Sequence, residues 1–298
     1  MAHDWAGAFA REREHLFGVA YRMLGSATEA DDVLQDAWLK VHGSEEAPRS
    51  ERAWLTTVVV RLCLDALGSA RARRERYVGP WLPEPLASAA PAPGAGEEDP
   101  ERRYGLRESA KLGLLVILES LSPLERAAVL LREVFEWEHA EIAAALGRSE
   151  AACRQLHHRA RGHVEGRHQR FCTTEAQATR LAHAFVLAAG GGDREEVARL
   201  LAADAVVVSD GGGVAKSALR PIHGGRRVAA FLCGVARKVR VPVSPSLAWV
   251  NHEIAVLLHE PSGLTGVLVL GVDGDTVRAV RWVRNPRKLA HLARALAG

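Results

Sequence analysis

The feature that most restricts the fold of this chain is a stretch that cannot form a core, residues 75–100, ERYVGPWLPEPLASAAPAPGAGEEDP. Its later part consists largely of Pro, Ala and Gly, which offer few side chains for burial and interrupt helices and strands. The chain has 298 residues, enough for two or three small domains. We therefore predict separate folding units on the two sides of this stretch.

The first part of the same stretch has a different character, because it carries apolar side chains between prolines. Trp81 and Leu82 are costly to leave in water, and Pro83 and Pro85 stiffen the backbone. A plain linker with one chance aromatic would account for the composition. A rigid peptide docked on a neighbouring domain accounts for the apolar side chains as well, and we favour it.

Composition and charge exclude several classes of protein. The net charge of +3 is too small for a polycation, so any nucleic-acid surface must come from local clustering. No apolar run is long enough to span a bilayer, and the N-terminus lacks the apolar segment of a secretory signal, so we expect a cytoplasmic protein without membrane contacts. The 4 cysteines form no C-x-x-C pair and indicate buried thiols. We predict no metal site and no cofactor.

Residues 1–74 are predicted to be helical. Apolar residues recur at helical spacing until Gly25-Ser26 interrupts them, and a second helix follows over about residues 28–41. The loop HGSEEAPRSE precedes a third helix, over about residues 51–72, which ends in the strongly basic sequence SARARRER.

A turn that contains glycine separates two short helices within residues 101–168. Ser122 is the expected N-cap of a helix with Pro123 in its first turn. Gly147 is expected to end the helix HAEIAAAL, and Ser149 to cap the next one. Two helices joined by such a turn are typical of a helix-turn-helix.

The second helix of this motif has a basic outer face. With Leu156 at the centre of the buried stripe, Ala152, Cys153, Ala160 and Val164 lie on the same side. The side chains left on the outer face and its flanks are Arg154, Gln155, His158, Arg159 and Arg161. A solvated charged face is the alternative reading. The turn, the cap and the small inward residues together favour a helix that hydrogen-bonds to base edges in the major groove.

Residues 170–298 change in character. A helix near residues 174–189 is followed by four β-rich segments, AVVVSD, PSLAWVNHEIAVLLHE, TGVLVLGVD and TVRAVRWVRN, which Gly, Asp and Pro separate. A helix followed by several strands of antiparallel appearance predicts a separate α+β domain.

Taken in order, these motifs resemble those of the extracytoplasmic-function (ECF) sigma factors of bacterial RNA polymerase. YRMLGSATEADDVLQDAWLKV resembles the region 2 helices that grip the polymerase clamp. RAWLTTVVVRLCLDALGSARARRER resembles the part that melts and holds the −10 element. LSPLERAAVLLREVFEWEHAEIAAALGRSEAACRQLHHRAR resembles region 4, which binds the −35 element. The resemblance covers about the first 165 residues and implies all-α domains at residues 1–74 and 101–168.

The resemblance also implies roles for particular residues. Those that would meet the basic clamp helices of the polymerase β′ subunit are Asp31, Asp32, Gln35, Asp36, Trp38 and Leu39. Those that would bind the −10 strand are Trp54, Arg61, Asp65, Arg71, Arg73 and Arg74. The loop at residues 43–51 would form the pocket for an extruded −10 base. Trp54 has a place in the core as its alternative, and the outer face of the helix-turn-helix would contact the −35 duplex.

Three further strings, GPWLPEP, DGGG and NPRKL, resemble the SigJ-type group of this family. In that group a cone-shaped SnoaL-like, NTF2-type domain is fused to the C-terminus, which implies a regulatory α+β domain over residues 170–298. The residues implied in its contact with the linker of residues 75–100 are Trp81, Leu82, Pro83, Asp210, Gly211, Gly212, Gly213, Asn285, Pro286 and Leu289. The family usually has Asp where this chain has Arg287, a departure that bears on the local charge pairing.

We therefore predict a multidomain alternative sigma factor that binds core RNA polymerase and directs promoter-specific initiation, without a catalytic site of its own. The C-terminal domain would set its activity in cis and replace a separate anti-sigma factor. One alternative is a stand-alone helix-turn-helix regulator. Another is a SnoaL-like enzyme fused to a DNA-binding module, with Asp210 as its base and His223 and His252 near it in sequence.

Overall fold

The computed structural model contains two compact units. One comprises the helices of residues 4–75 and 114–165, and the other comprises residues 77–89, 110–113 and 173–297. The described residues are 4–42, 44, 48, 50–75, 77–89, 110–165 and 173–297, with backbone alone for residues 69–75. Most of the predicted −10 pocket loop and the later part of the linker therefore lie outside the described residues.

Three helices form the first part of the helical unit: α1 (Trp5–Leu24), α2 (Ala27–Val41) and α3 (Glu51–Glu75). The predicted break between the first two is confirmed. Gly25 follows α1 with a φ of +68°, and the Ser26 side chain accepts a hydrogen bond from the Glu29 amide at the start of α2. The helices share a core that includes Leu16, Tyr21, Leu34, Leu55 and Val59.

Four shorter helices form the second part: α4 (Leu112–Leu118), whose first two residues are assigned to the other unit, α5 (Pro123–Glu133), α6 (His139–Leu146) and α7 (Glu150–Glu165). The predicted caps are confirmed. Ser122 and Glu125 form a capping box before α5, and Ser149 Oγ accepts a hydrogen bond from the Ala152 amide. Gly147 ends α6 with a φ of +62°, a backbone conformation that costs glycine little.

The second unit has a sheet and helices, as the predicted α+β domain requires. Its helices are α8 (Glu175–Gly191), α9 (Arg194–Leu200), α10 (Gly225–Ala236) and α11 (Pro286–Ala297). Its strands are β1 (Leu201–Asp210), β2 (Ile222–His223), β3 (Ser244–Val250), β4 (Glu253–Glu260), β5 (Gly263–Asp273) and β6 (Thr276–Val283). The strand order in the sheet is β2-β1-β6-β5-β4-β3.

One strand pairing differs from the antiparallel pattern that the sequence predicted. β1 runs parallel to β6, with Val207 opposite Val280, whereas the other paired strands of this sheet are antiparallel. The reason is the connection between them, since β2, α10 and three further strands intervene along the chain. The alternation of apolar and polar residues defines the faces of a strand but not its direction.

The core of this unit lies between the sheet and α8, α9 and α10. Its members include Phe185, Val197, Val207, Leu232, Leu270 and Val280. The last helix, α11, packs against β5 and buries Leu289 and Leu292. Among the helices of the described ranges, none carries an apolar stretch of the length that a bilayer crossing needs.

Candidate functional site

The sequence predicted a buried stripe on α7 centred on Leu156, and this prediction is wrong. Cys153 and Ala160 are fully buried, whereas Leu156 is only half-buried. His157 also turns inward, and its Nε2 lies 2.7 Å from Glu133 Oε1 on α5. The stripe is rotated toward His157 because the imidazole finds a carboxylate there, which compensates for its burial.

The five side chains predicted to read DNA lie on the solvent side of α7. They are Arg154, Gln155, His158 and Arg159, which are exposed, and Arg161, which is half-buried. Three of the arginines pair with glutamates. The pairs are Arg154–Glu150, Arg159–Glu125 and Arg161–Glu165. Ion pairs at an exposed surface contribute little to stability, so a phosphate or a base edge can replace the glutamates at small cost.

The residues predicted to meet polymerase lie along one side of α2: Asp31, Asp32, Gln35, Asp36, Trp38 and Leu39. Leu39 is 65% exposed among these carboxylates. Trp38 packs edge-on against Phe9, with ring centroids 5.6 Å apart. Asp31 Oδ1 lies 3.2 Å from Arg13 Nη2, at a groove that the two aromatic side chains also line. An exposed leucine on the same side of a helix as several carboxylates is typical of a protein interface.

Within α3, the structure separates the predicted −10 residues into two groups. Trp54 is half-buried and stacks on Trp5, with ring centroids 4.5 Å apart, so it contributes to packing. Arg61 and Asp65 are exposed and lie one helical turn apart. The predictions for the side chains of Arg71, Arg73 and Arg74 fall outside the described residues.

Two arginines join the two parts of the helical unit. Each lies in one part and donates hydrogen bonds to backbone carbonyl oxygens in the last turn of a helix of the other part. Arg61 of α3 donates to the carbonyl oxygens of Ala145 (2.9 Å) and Ala144 (3.1 Å) in the last turn of α6. Arg126 of α5 donates to the carbonyl oxygen of Met23 (2.6 Å) in the last turn of α1. A guanidinium at a helix C-terminus satisfies carbonyls that lack partners and complements the helix dipole.

The Arg126 guanidinium is almost fully buried, with 3% of the side chain exposed. Its second partner is the carboxylate of Glu119, at 2.8 Å. Burial lowers the pKa of Arg126 to about 10, so the group stays charged at neutral pH. Removing this side chain would take a charged donor from the partly buried Glu119 carboxylate and from the buried Met23 carbonyl oxygen.

Phe135 forms a second contact between the two parts. The His15 ring of α1 meets it edge-on, with centroids 5.3 Å apart, and the Arg22 guanidinium lies 5.9 Å from its centroid. Burial, followed by the charges of Arg52 and Arg22, lowers the pKa of His15 to about 4. His15 is therefore neutral at pH 7, and its Nε2 lies 3.1 Å from Thr56 Oγ1.

Asp210, at the end of β1, is the centre of the linker-binding site in the second unit. Its side chain is fully buried. Oδ1 accepts a hydrogen bond from the Tyr77 hydroxyl at 2.6 Å. Oδ2 accepts from the Leu82 amide at 2.8 Å and from Lys288 Nζ at 2.7 Å. Burial, together with the hydrogen bond to this carboxylate, raises the pKa of Tyr77. The carboxylate thus binds two points of the linker and one point of α11.

Lys288 completes the site from α11. Its Nζ also donates to the Leu82 carbonyl oxygen and lies 4.0 Å from the Trp81 ring centroid. An ammonium over an aromatic face is attracted by the ring quadrupole, and more strongly when water is excluded. Lys288 is 7% exposed, so its charge is compensated by Asp210 and by the ring rather than by solvent.

The three glycines after Asp210 are required by close packing. A Cβ on Gly211 would lie 2.0 Å from the Ala215 carbonyl oxygen, and a Cβ on Gly212 would lie 2.2 Å from Asn285 Nδ2. Gly212 and Gly213 also have positive φ values, +60° and +74°. A plain flexible loop would impose neither condition.

The remaining residues of the three motifs divide between the site and its surroundings. Asn285 donates from Nδ2 to the Tyr77 hydroxyl at 2.8 Å, while Leu289 and Pro83 are buried. Pro286 lies outside the cluster, exposed at the first position of α11, where its fixed φ suits a helix start.

The departure at Arg287 does not disturb the charge pairing, because that side chain is exposed and Lys288 supplies the cation. Sequence reasoning missed Lys288 and Tyr77, although both lie inside or next to strings that were singled out. Charge was the available signal for Lys288, since an Asp in one motif and a Lys in another form a pair of opposite sign.

The comparisons with known proteins agree with this geometry. Residues 8–73 match the model of Sigma-70 region 2, and residues 111–164 match the model of Sigma-70, region 4. The ECF RNA polymerase sigma factor SigJ of Mycobacterium tuberculosis is 37% identical over 90% of this chain and 83% of its own length. The probable ECF sigma factor SigI of the same organism is 29% identical over 98% of this chain and 97% of its own length.

A solved structure supports the same assignment. The crystal structure of the M. tuberculosis extracytoplasmic function sigma factor SigJ superposes with a TM-score of 0.73 at 32% identity, over 96% of this chain and 98% of that one. The helical parts and the α+β domain thus occur together in a relative. This chain therefore belongs to the ECF RNA polymerase sigma factors, which bind core RNA polymerase and direct transcription initiation at particular promoters.

Proposed function

We propose that this sigma factor reads the −35 element with α7, holds the −10 strand with α3, meets the β′ clamp helices with α2, and is controlled in cis by its C-terminal domain. The observation that carries the promoter-reading part is α7 itself. Its hydrogen-bonding side chains face solvent, while its opposite side is packed in a core. We place its action in the cytoplasm, with core RNA polymerase.

The outer face of α7 suits sequence reading in a major groove. Arg154 can donate two hydrogen bonds to guanine, and Gln155 can pair with adenine. In a helix-turn-helix the second helix enters the groove with its N-terminal residues at the base edges. Arg154 and Gln155 lie in the first half of α7, and Arg159 and Arg161 further along are placed to contact phosphates.

The α2 surface suits a basic protein partner. Carboxylates orient such a partner and raise its association rate, while the exposed Leu39 and the half-buried Trp38 supply apolar contact. The β′ clamp helices are the partner that the family resemblance implies.

We also infer that the free protein is held in a closed state. Arg61 already donates to two carbonyls of α6, so a −10 phosphate and the α6 C-terminus compete for the same guanidinium. Promoter binding therefore requires α6 to leave α3. This competition makes binding of the free protein to DNA weak, as is expected of a factor that acts only with polymerase.

Control by the C-terminal domain rests on the linker-binding site. Asp210 and Lys288 hold Tyr77 and Leu82, which follow almost directly after the end of α3. A domain that fixes this point of the chain restricts how region 2 moves, without a separate anti-sigma factor. The enzyme alternative is not favoured, because both oxygens of Asp210 already accept hydrogen bonds from protein groups.

Replacing Arg154 with Ala should weaken the free energy of promoter recognition by about 1–3 kcal/mol at one −35 base. The preference for that base should relax, and transcription from promoters that carry it should fall. Run-off transcription with purified core polymerase on a set of −35 point variants measures this. Arg199→Ala, which removes an exposed arginine of α9, is the matched control and should behave like the parent. An equal loss at every −35 base would contradict base reading by Arg154.

Replacing Arg126 with Met should open the closed state, since it removes the donor to Met23 and Glu119 but retains an apolar stem. We expect the free protein to bind a single-stranded −10 oligonucleotide about fivefold more tightly. Fluorescence anisotropy measures the affinity, and Arg180→Met on the exposed side of α8 controls for net charge. Adding Arg61→Ala should abolish the gain. Unchanged affinity in a variant that circular dichroism shows to be folded would rule out this competition.

Replacing Lys288 with Met should release the linker, because the buried Asp210 carboxylate loses its cation. Breaking a buried pair costs about 3–5 kcal/mol, so the Leu82 amide should exchange on the order of a hundredfold faster or more. Transcript amounts should change while the −35 preference stays the same. Lys216→Met, at an exposed position of the same domain, is the control. Leu82 protection equal to that of the parent would refute this role of Lys288.

A further inference from the structure

A second linker-binding site lies at the turn between β3 and β4, away from all three motif strings. Asn251 and His252 form this two-residue turn with φ values of +53° and +58°, as a type I′ turn requires. Asn251 is 2% exposed, which is unusual for a polar residue at the tip of a hairpin. Its burial is explained by the linker residues that cover it.

Asn251 holds two points of the linker that are far apart in sequence. The Asn251 amide donates to the Leu86 carbonyl oxygen at 2.9 Å, and Asn251 Oδ1 accepts from the Leu86 amide at 2.9 Å. Its Nδ2 donates to the Ala110 carbonyl oxygen at 2.8 Å. One side chain therefore joins the two ends of the stretch between residues 86 and 110.

Neighbouring residues strengthen the first of these ends. The His252 amide donates to Ser88 Oγ at 2.9 Å, and the Ser88 amide donates to the Trp249 carbonyl oxygen at 3.0 Å. Ala87 forms an antiparallel bridge with Val250. The linker thus continues the edge of the sheet for a few residues beside β3.

Glu253 strengthens the second end. Its Oε2 accepts hydrogen bonds from the Leu112 amide at 2.7 Å and the Gly113 amide at 3.3 Å, in the first turn of α4. Its Oε1 lies 3.2 Å from Arg281 Nη1, and both side chains are largely buried. A carboxylate at the first amides of a helix satisfies donors that otherwise lack partners.

We infer that the Asn251–Glu253 turn is a clasp that makes the C-terminal domain, rather than residues 90–109, the physical connection between the −10 and −35 modules. The segment from 77 to 113 could span ~130 Å if it were fully extended. With its ends joined at Asn251, only residues 77–86 and 110–113 count toward the span, and the limit falls to ~50 Å. The clasp therefore shortens the greatest distance that the linker can span between the two modules.

The clasp is suited to a permanent connection. Opening it would break the hydrogen bonds that Asn251 and Glu253 form with the backbone groups of Leu86, Ala110 and Leu112. Polar groups that are largely buried in the closed clasp would then need new partners, which makes opening costly. This inference rests on the proposed function in one respect, because its consequence is measured by promoter-directed transcription.

Inserting about 80 Gly and Ser residues after residue 95 tests the clasp. In the full-length parent this insertion should leave run-off transcription with core polymerase within about twofold, since the inserted residues do not contribute to the span. In the double variant Asn251→Gly, Glu253→Ala, the same insertion should lower the transcript about fivefold, because the linker length then sets the effective concentration of one module at the other, which falls roughly as the −3/2 power of that length. Glycine retains the positive φ at position 251 while it removes the side chain. A parent with residues 91–100 replaced by Gly and Ser at equal length controls for their sequence.

Hydrogen exchange of backbone amides tests whether the clasp is closed in the absence of polymerase. The Leu86 and Leu112 amides should exchange about tenfold faster in the double variant than in the parent. Unchanged exchange, or a parent that loses as much transcript on insertion as the double variant does, would overturn the inference. If the parent gave no promoter-specific transcript at all, the proposed function would have failed, and exchange alone would still decide whether the clasp holds the linker.

Discussion

One buried carboxylate, that of Asp210, joins three parts of the chain that are distant in sequence. It binds the linker at Tyr77 and Leu82 and the last helix at Lys288. Because a buried charge without partners is costly, these three segments must stay together for the domain to be stable. The Asp–Gly–Gly–Gly sequence, the stiff Trp–Leu–Pro peptide and the Asn–Pro–Arg–Lys sequence therefore belong to one interaction and not to three separate ones.

The groups that we assign to promoter binding are engaged within the protein before DNA arrives, but by interactions of different strength. On α7, exposed arginines pair with glutamates that a phosphate can displace at little cost. On α3, Arg61 is held by helix-end carbonyls, and the buried Arg126 supports the same arrangement from α5. The proposed −35 face is thus held only by weak surface pairs, whereas access to the proposed −10 residues depends on separating two packed helices.

Local sequence signals predicted much of this architecture and little of its tertiary pairing. The caps at Ser122 and Ser149 and the turn at Gly147 could be predicted because each depends on residues within one helical turn. The parallel pairing of β1 with β6 depends on a long connection, which periodicity does not reveal. Lys288 and Asn251 were missed because a lone lysine or asparagine is ordinary in a sequence, and only the fold brings each beside the linker.

The central claim, that this polypeptide selects promoters for RNA polymerase, is tested most directly by transcription of a random promoter library with purified core enzyme. The account predicts that transcripts enriched by the full chain share two sequence blocks at a fixed spacing, and that no enrichment occurs without the core enzyme. Enrichment of a single block bound by the protein alone, or the absence of any promoter-specific transcript, would contradict it.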